Sequence, residues 1–352
     1  MSAQRARFPD NTFATKPEQS EPQPTGNSSP SCQLLVAKAG GRDMWALGSR
    51  YILKKRGFYP GSEVEVQNTD FAAEKTTGQV AKVVASWKEN DRFFLIQERI
   101  EGEPLEDALP NLSQEDIARI GRQVGEFLRQ FRNITSPTMQ MLDGRPVIDR
   151  RLFKPLPASS DAGYSVCTSD ADVVANMSLA IKNCLNTSEL DIFMAHMPSA
   201  MPFTYTHSDV HEGNIMVKDG RFQGLIDFEL SGFYPRWWEF VNSCEVLSEH
   251  LPADLQDKAA LDWFRVYHMI RERPEDSDTW KTFREYLSQH GAEPTYGPPR
   301  YFAGLDLSSN HSGRAYIPKC LTDRTDPSIS RNSTKLVNTY YRDPSLRVAS
   351  IL

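Results

Sequence analysis

Polar side chains near the middle of the chain have the types and spacing needed for chemistry on a phosphate. The segment HSDVHEGN sets His207, Asp209 and Asn214 in an H-x-D-x-x-x-x-N arrangement. A short apolar run, Ile215 to Val217, leads into Lys218-Asp219-Gly220, and a second run, Phe222 to Ile226, ends at Asp227-Phe228-Glu229. An Asp-Gly turn between two short β-rich runs predicts a hairpin. Such a hairpin brings Asp227 back to the loop that carries Asp209 and Asn214. Phosphoryl transfer needs a carboxylate to accept the attacking hydroxyl's proton. It also needs oxygen ligands for the Mg²⁺ that bridges nucleotide phosphates. Asp209 suits the first task, and Asn214 with Asp227 suits the second.

The kinase signature set runs in the same order, H-R-D-x-x-x-x-N and then D-F-G. Here Ser208 precedes Asp209, and the closing triplet is Asp227-Phe228-Glu229. The stretch resembles the aminoglycoside phosphotransferase and choline kinase-like family, whose usual wording is close to H-G-D-x-H-x-x-N and I-D-[FW]-[ED]. It is most similar to the broad fungal branch, in which a GFYP-x-x-W-E segment follows the second Asp; Gly232 to Glu239 reads GFYPRWWE. The resemblance covers roughly Val36 to Gln289. It implies an α+β, bilobal, protein-kinase-like fold with a small antiparallel β-sheet N-lobe and a mainly helical C-lobe. It further implies ATP and Mg²⁺ as cofactors and a hydroxyl of a small molecule as acceptor. In that fold His207 is a supporting residue that braces the catalytic loop. Glu229 is a second supporting residue, ranked below the aspartates, that binds substrate or organises the metal site. A protein kinase is disfavoured, since no A-P-E segment or long activation loop follows Asp227. The alternative is a nucleotide-binding pseudokinase serving as an interaction module, motivated by Ser208 and by weak phosphate-loop features.

Those residues require a sheet, a helix and a hinge around them. Leu34 to Ala37, Met44 to Leu47 and Tyr51 to Leu53 read as short strands, with Gly40-Gly41 in the first turn. Lys54 and Lys55 end the third strand. The resemblance makes Lys54 the lysine that fixes the phosphates, and alternation turns Lys55 to the other face. Glu63 to Glu74 reads as a helix with Ser62 as N-cap, and the family's helix glutamate falls on Glu65. Thr76 to Val84 resembles a family connection whose two prolines are replaced by Gln79 and Ala81, which predicts a less rigid loop. Arg92 to Glu98 is a further strand. By the same resemblance, the backbone of Glu98 and Ile100 then faces the adenine edge.

Beyond the hinge, Ser113-Gln-Glu-Asp116 opens a helix with a capping box, and Ile117, Ile120, Val124, Phe127, Leu128 and Phe131 form its apolar face. Asp149, Arg150 and Arg151 fall in a polar loop and are expected to be solvated charges. Further helices are expected over Val173 to Leu185, Phe240 to Leu247, Leu255 to Ile270 and Thr279 to Gln289, with Trp237, Trp238 and Phe240 as packing aromatics. The organisation expected is a disordered tail over 1–32, the nucleotide-binding N-lobe over 33–98, the C-lobe over 99–290 and an irregular or disordered extension over 291–352.

Composition sets wide bounds. The 352 residues are 39% hydrophobic and 24% charged, ordinary for a globular chain long enough for two lobes. A net charge of −6 gives no reason to expect a nucleic-acid partner. No window approaches 18 consecutive apolar residues, so no membrane partner is expected. Five scattered cysteines without a C-x-x-C pair suit reduced thiols and a cytoplasmic setting.

Overall fold

Period-two alternation in the first hundred residues builds one sheet with a buried and an exposed face. The computed structural model describes residues 32–38, 42–59, 61–147, 149–153 and 166–291. The expected tail apart from Cys32, the expected extension apart from Gly291, and Gly40-Gly41 lie outside the described residues. Strands β1 (Cys32–Lys38), β2 (Arg42–Leu47), β3 (Tyr51–Gly57), β4 (Val83–Glu89) and β5 (Arg92–Glu98) form an antiparallel sheet in the order β1-β2-β3-β5-β4. Helix α1 (Val64–Lys75) packs on one face, where Val66 meets Phe93 and Leu95. The register sets Lys54 opposite Leu95 and Arg56 opposite Phe93, so both cations share the α1 face. Lys55 points the other way, with its ammonium 3.2 Å from Asp43 and over the Trp45 ring.

Two local expectations are corrected here. Strand β3 continues past Lys54 and Lys55 to Gly57. Ser62 does not cap α1: its Oγ accepts from the Tyr59 N–H within the preceding turn, and Glu63 holds the cap position without a side-chain bond. The connection from α1 to β4 is also held, despite the missing prolines. Val80 bridges Leu225, and the Gln79 carbonyl accepts from the Leu225 N–H at 3.1 Å.

The second lobe is mainly helical. A short strand β6 (Glu103–Pro104) and helix α2 (Leu105–Ala108) lead to α3 (Gln114–Arg132). The predicted capping box is present, with the Asp116 N–H on Ser113 Oγ and the Ser113 N–H on the Asp116 carboxylate. The apolar face of α3 forms one core with Tyr205, Ile215, Phe222 and Phe228. Gly121 and Gly125 allow His250 and Pro252 to approach closer than a Cβ would permit. Strands β7 (Thr135–Ser136), β8 (Phe203–Thr206), β9 (Ile215–Lys218), β10 (Arg221–Leu225) and β11 (Gly232–Tyr234) make two small sheets, β10-β9-β6 and β11-β8-β7.

Helices α4 (Asp170–Ile181), α5 (Thr187–Ala195), α6 (Trp238–Val241), α7 (Glu245–Ser248), α8 (Lys258–Glu272) and α9 (Ser277–Gln289) complete the lobe. Helix α5 was not foreseen, although Asn186 and Glu189 form a capping box at its start. The helix expected over Phe240 to Leu247 is instead two single turns, α6 and α7. A second core is aromatic: Phe193 stacks on Trp263, which stacks on Tyr267. The four described cysteines are free thiols. No helix among the described residues is long and apolar enough to cross a membrane.

Trp263 is fully buried, and its indole N–H donates to the Phe193 carbonyl. Trp263→Ala therefore removes two stacked faces and one buried hydrogen bond, although the Phe193 carbonyl keeps the His196 N–H. A loss of about 3–5 kcal/mol is expected from a large-to-small core change. Urea unfolding measures it as a lower midpoint.

Candidate active site

The predicted hairpin is β9 and β10, turned by Asp219 and Gly220 at φ of 51° and 65°. Paired positive φ values are what a two-residue turn between twisted strands requires, and Asp-Gly adopts them readily. The Ile226 N–H donates to the Asn214 carbonyl at 3.0 Å, which joins the hairpin's exit to its entrance. Asp227 follows at φ 70° and ψ 63°, in the left-handed region. An aspartate tolerates that region better than most residues.

The loop before the hairpin is fixed largely by hydrogen bonds to its backbone. Half-buried Glu239, in α6, accepts the N–H groups of His207 and Ser208 at 2.6 and 3.1 Å. Burial pushes its carboxyl up to about 7, against the lowering effect of those two bonds. The His207 ring is fully buried and edge-on to Phe228. Its Nδ1 accepts from the Asp209 N–H, and Nε2 lies 3.1 Å from the Ile226 carbonyl. One neutral tautomer, protonated at Nε2, satisfies both contacts. Burial pulls the imidazole down to about 4, outweighing the nearby Asp209 charge.

Ser208 stands at φ 65°, where the family wording has glycine. Its environment makes up for the missing glycine. The Trp238 indole N–H donates to Ser208 Oγ at 2.9 Å, and Asn242 and Arg151 donate to its carbonyl at 2.7 and 2.8 Å. Asp209 is buried, and the Asn214 amide nitrogen donates to its Oδ2 at 3.2 Å and its carbonyl at 3.0 Å. That leaves the Asn214 carbonyl oxygen directed away from Asp209.

Opposite the loop lies a cluster of three cations and three carboxylates. Lys54 Nζ donates to Glu65 at 2.7 Å and to Asp227 at 3.3 Å. Burial alone would lower this lysine, but Asp227 and Glu65 together hold it above its ordinary value. Arg56 bonds Glu229 at 2.7 Å and lies 3.1 Å from Glu65. Arg42 forks onto both oxygens of Glu229 at 3.1 and 2.9 Å, and Glu229 raises it well above its usual range. Carboxylate oxygens of Glu65, Asp227 and Glu229 lie within 4.8 Å of one another. Glu229 is thus pinned by two arginines.

The hinge residues lie at and just beyond the end of β5, an interior strand of the sheet. Glu98 ends β5 with its N–H on the Lys82 carbonyl at 2.9 Å, and Ile100 lies against Gly224 of β10. The expectation of solvated charges at Asp149 and Arg151 is overturned. Asp149 is buried and holds Arg151 through Nε and Nη2 at 3.0 and 2.6 Å. Arg151 Nη1 then reaches within 3.6 Å of Asp209 Oδ1. Arg42, Arg56 and the role of Glu239 were missed from sequence. Arg56 had a legible signal, because it lies two residues beyond Lys54 and so on the same strand face.

A family model described as "Phosphotransferase enzyme family" (APH) matches residues 42–286. No curated protein matches the chain. Among solved structures, APH(4)-Ia is similar at 13% identity and a TM-score of 0.47, over 74% of this chain and 94% of that one. The streptomycin–ATP–APH(2'')-IIa complex is similar at 17% identity and a TM-score of 0.45, over 73% and 90%. Spectinomycin phosphotransferase APH(9)-Ia, with ADP and spectinomycin, is similar at 13% identity and a TM-score of 0.42, over 72% and 88%.

Two measurements follow from the loop geometry. Ser208→Ala keeps the left-handed backbone but orphans the buried Trp238 N–H, so a loss of about 1–3 kcal/mol is expected. Ser208→Gly loses the same bond but relieves the backbone, and should retain about 1–2 kcal/mol more than the alanine variant in urea unfolding. Histidine titration by NMR should find His207 neutral down to about pH 4. A base whose folded value lies below its unfolded one stabilises the fold above the unfolded value. That stability is lost as pH falls from about 6.5 towards 4. Glu239, raised from 4.5 to about 7, works in the opposite sense, and its contribution is lost as pH rises through 7.

Proposed function

We propose, from the premise that this chain belongs to the APH phosphotransferase enzyme family, that it transfers the terminal phosphoryl group of ATP to a hydroxyl of a small molecule. The observation that carries this reading is the convergence of three groups on one cleft. These are Asp209 with its Asn214 bond, Asp227 at the hairpin's exit, and the Lys54–Glu65 pair.

Asp209 is the base that orients the acceptor hydroxyl and takes its proton. One of its oxygens is fixed by Asn214, while the other faces the Arg151 guanidinium. Arg151 thus holds the loop in place and offsets negative charge gathering beside Asp209. Lys54 binds the nucleotide phosphates and is kept in place by Glu65. Glu98 offers the base its carbonyl, because its N–H is already used, and Ile100 offers its backbone just beyond the end of β5. Asp227 and Asn214 supply hard oxygen donors of the kind Mg²⁺ takes. Asp227 contacts Lys54 at 3.3 Å, whereas Glu65 and Glu229 are each bonded by two cations at 2.7–3.1 Å. When bound, Mg²⁺ supplies charge neutralisation between phosphates. Most of the rate enhancement then comes from positioning and preorganised charge.

The test uses two variants and two readouts. At 100 times Kd, ligand binding stabilises the fold by about 2.7 kcal/mol, roughly 4–5 °C in a protein of this size. Wild type should show such a rise with ATP and Mg²⁺, and Asp227→Ala should lose it. Asp209→Asn should keep the rise but lose about 10²–10⁴-fold in phosphoryl transfer, followed as ATP hydrolysis or transfer to a panel of small alcohols. Binding without turnover in wild type would favour the nucleotide-binding pseudokinase. No rise in wild type would sink both readings.

A further inference from the structure

Arg42 opens β2, and its guanidinium reaches across to the segment that follows Asp227. It differs from its neighbour Arg56 in ways that matter. Arg56 is buried, with a side chain 8% exposed, and is held by Glu65, Glu229 and the Ser62 carbonyl between the rings of Tyr59 and Phe93. Its donors are spent inside the protein. Arg42 is 28% exposed and is the outermost cation of the cluster. The carboxylate it binds already has a full positive charge beside it, because Arg56 sits on the same Glu229 oxygen at 2.7 Å. A guanidinium carries five N–H donors, and the fork onto Glu229 uses two.

Alternation along the strand puts the Arg42 side chain on the sheet face that also carries Met44, whose register partner is Lys54. Arg42 and Lys54 therefore face the same cleft, and Asp227 acts electrostatically on both. A planar cation held by a carboxylate, beside a lysine and an acidic metal-type ligand, is built for a phosphate oxygen.

We propose that Arg42 is a phosphate-binding residue, anchored by Glu229 at the mouth of the cleft so that it grips the phosphate tail of the nucleotide beside Lys54. The proposal rests on the phosphotransferase reading above. It explains why Glu229, rather than a small residue, stands two positions after Asp227. That glutamate aims a guanidinium.

Calorimetry with ATP in Mg²⁺ and with adenosine separates this role from simple lobe packing. Arg42→Met should lose about ten- to a hundredfold in ATP affinity, as expected for a hydrogen bond to a charged group, with adenosine affinity unchanged. Arg42→Lys, which keeps the charge but not the fork, should fall between. If Arg42→Met does not fold, the double variant Arg42→Met/Glu229→Met removes both members of the pair and should show the same selective loss. Equal losses for ATP and adenosine, or no loss for either, would overturn the proposal while leaving the phosphotransferase reading intact. A wild type that binds no ATP would overturn both.

Discussion

The alternating charge cluster between the sheet and the segment after the hairpin is the contact on which the site depends. Lys54 and Arg56 come from β3, Arg42 from β2, Glu65 from α1, and Asp227 and Glu229 from the hairpin's exit. Four elements separated in sequence are thereby fixed to one another by pairs of 2.7 to 3.3 Å. Removing ions from water is costly, and mutual attraction offsets that cost only where geometry is good and each charge has a partner. Three positive and three negative groups meet the condition. Deleting any one leaves an uncompensated charge in a half-buried place, so the cluster is specific as well as stabilising.

The catalytic-type loop depends on a second constraint, backbone geometry. Ser208 and Asp227 both occupy the left-handed region, where a side chain costs roughly 1–2 kcal/mol. Such strain persists only where surroundings over-determine the conformation. Around Ser208 they do so: Glu239, Trp238, Asn242 and Arg151 each bond its N–H, hydroxyl or carbonyl. A residue that looks like a lost glycine in sequence is thus held by four side chains, three of them from α6 and the residue after it and one, Arg151, from the segment that follows β7.

What was legible in the sequence was what lies in one continuous stretch or obeys a short period. The hairpin, its Asp-Gly turn, the capping box of α3 and strands β1, β2, β3 and β5 follow from local rules, whereas β4 was not foreseen. The Lys54–Glu65 contact came from the resemblance, which set Lys54 by its strand wording and Glu65 by counting back from Phe71. Arg151 was misread because a charged residue in a polar loop is usually solvated, and nothing local reveals that Asp149 is buried beneath it. Arg42 escaped for a similar reason: its partner Glu229 lies 187 residues away. The split of the expected helix after Trp238 was equally hidden, because its apolar pattern did not reveal that the chain turns at Ser243 to reach the α3 face.

The glutamate at 229 also bears on how the site moves. In the kinase signature a glycine follows D-F, and the packing of that phenylalanine separates active from inactive arrangements. Here the third position carries a carboxylate tied to two arginines, and Phe228 is buried against His207. Only two residues, Leu230 and Ser231, separate Glu229 from β11, and the Asn68 amide donates to the carbonyls of Phe228 and Ser231 at 2.8 and 2.9 Å. Swinging this segment would break two ion pairs and two buried hydrogen bonds together. The arrangement therefore favours a single orientation of Asp227. Any change at the site must then come from the approach of ligands to the cluster rather than from rearrangement of the segment that builds it.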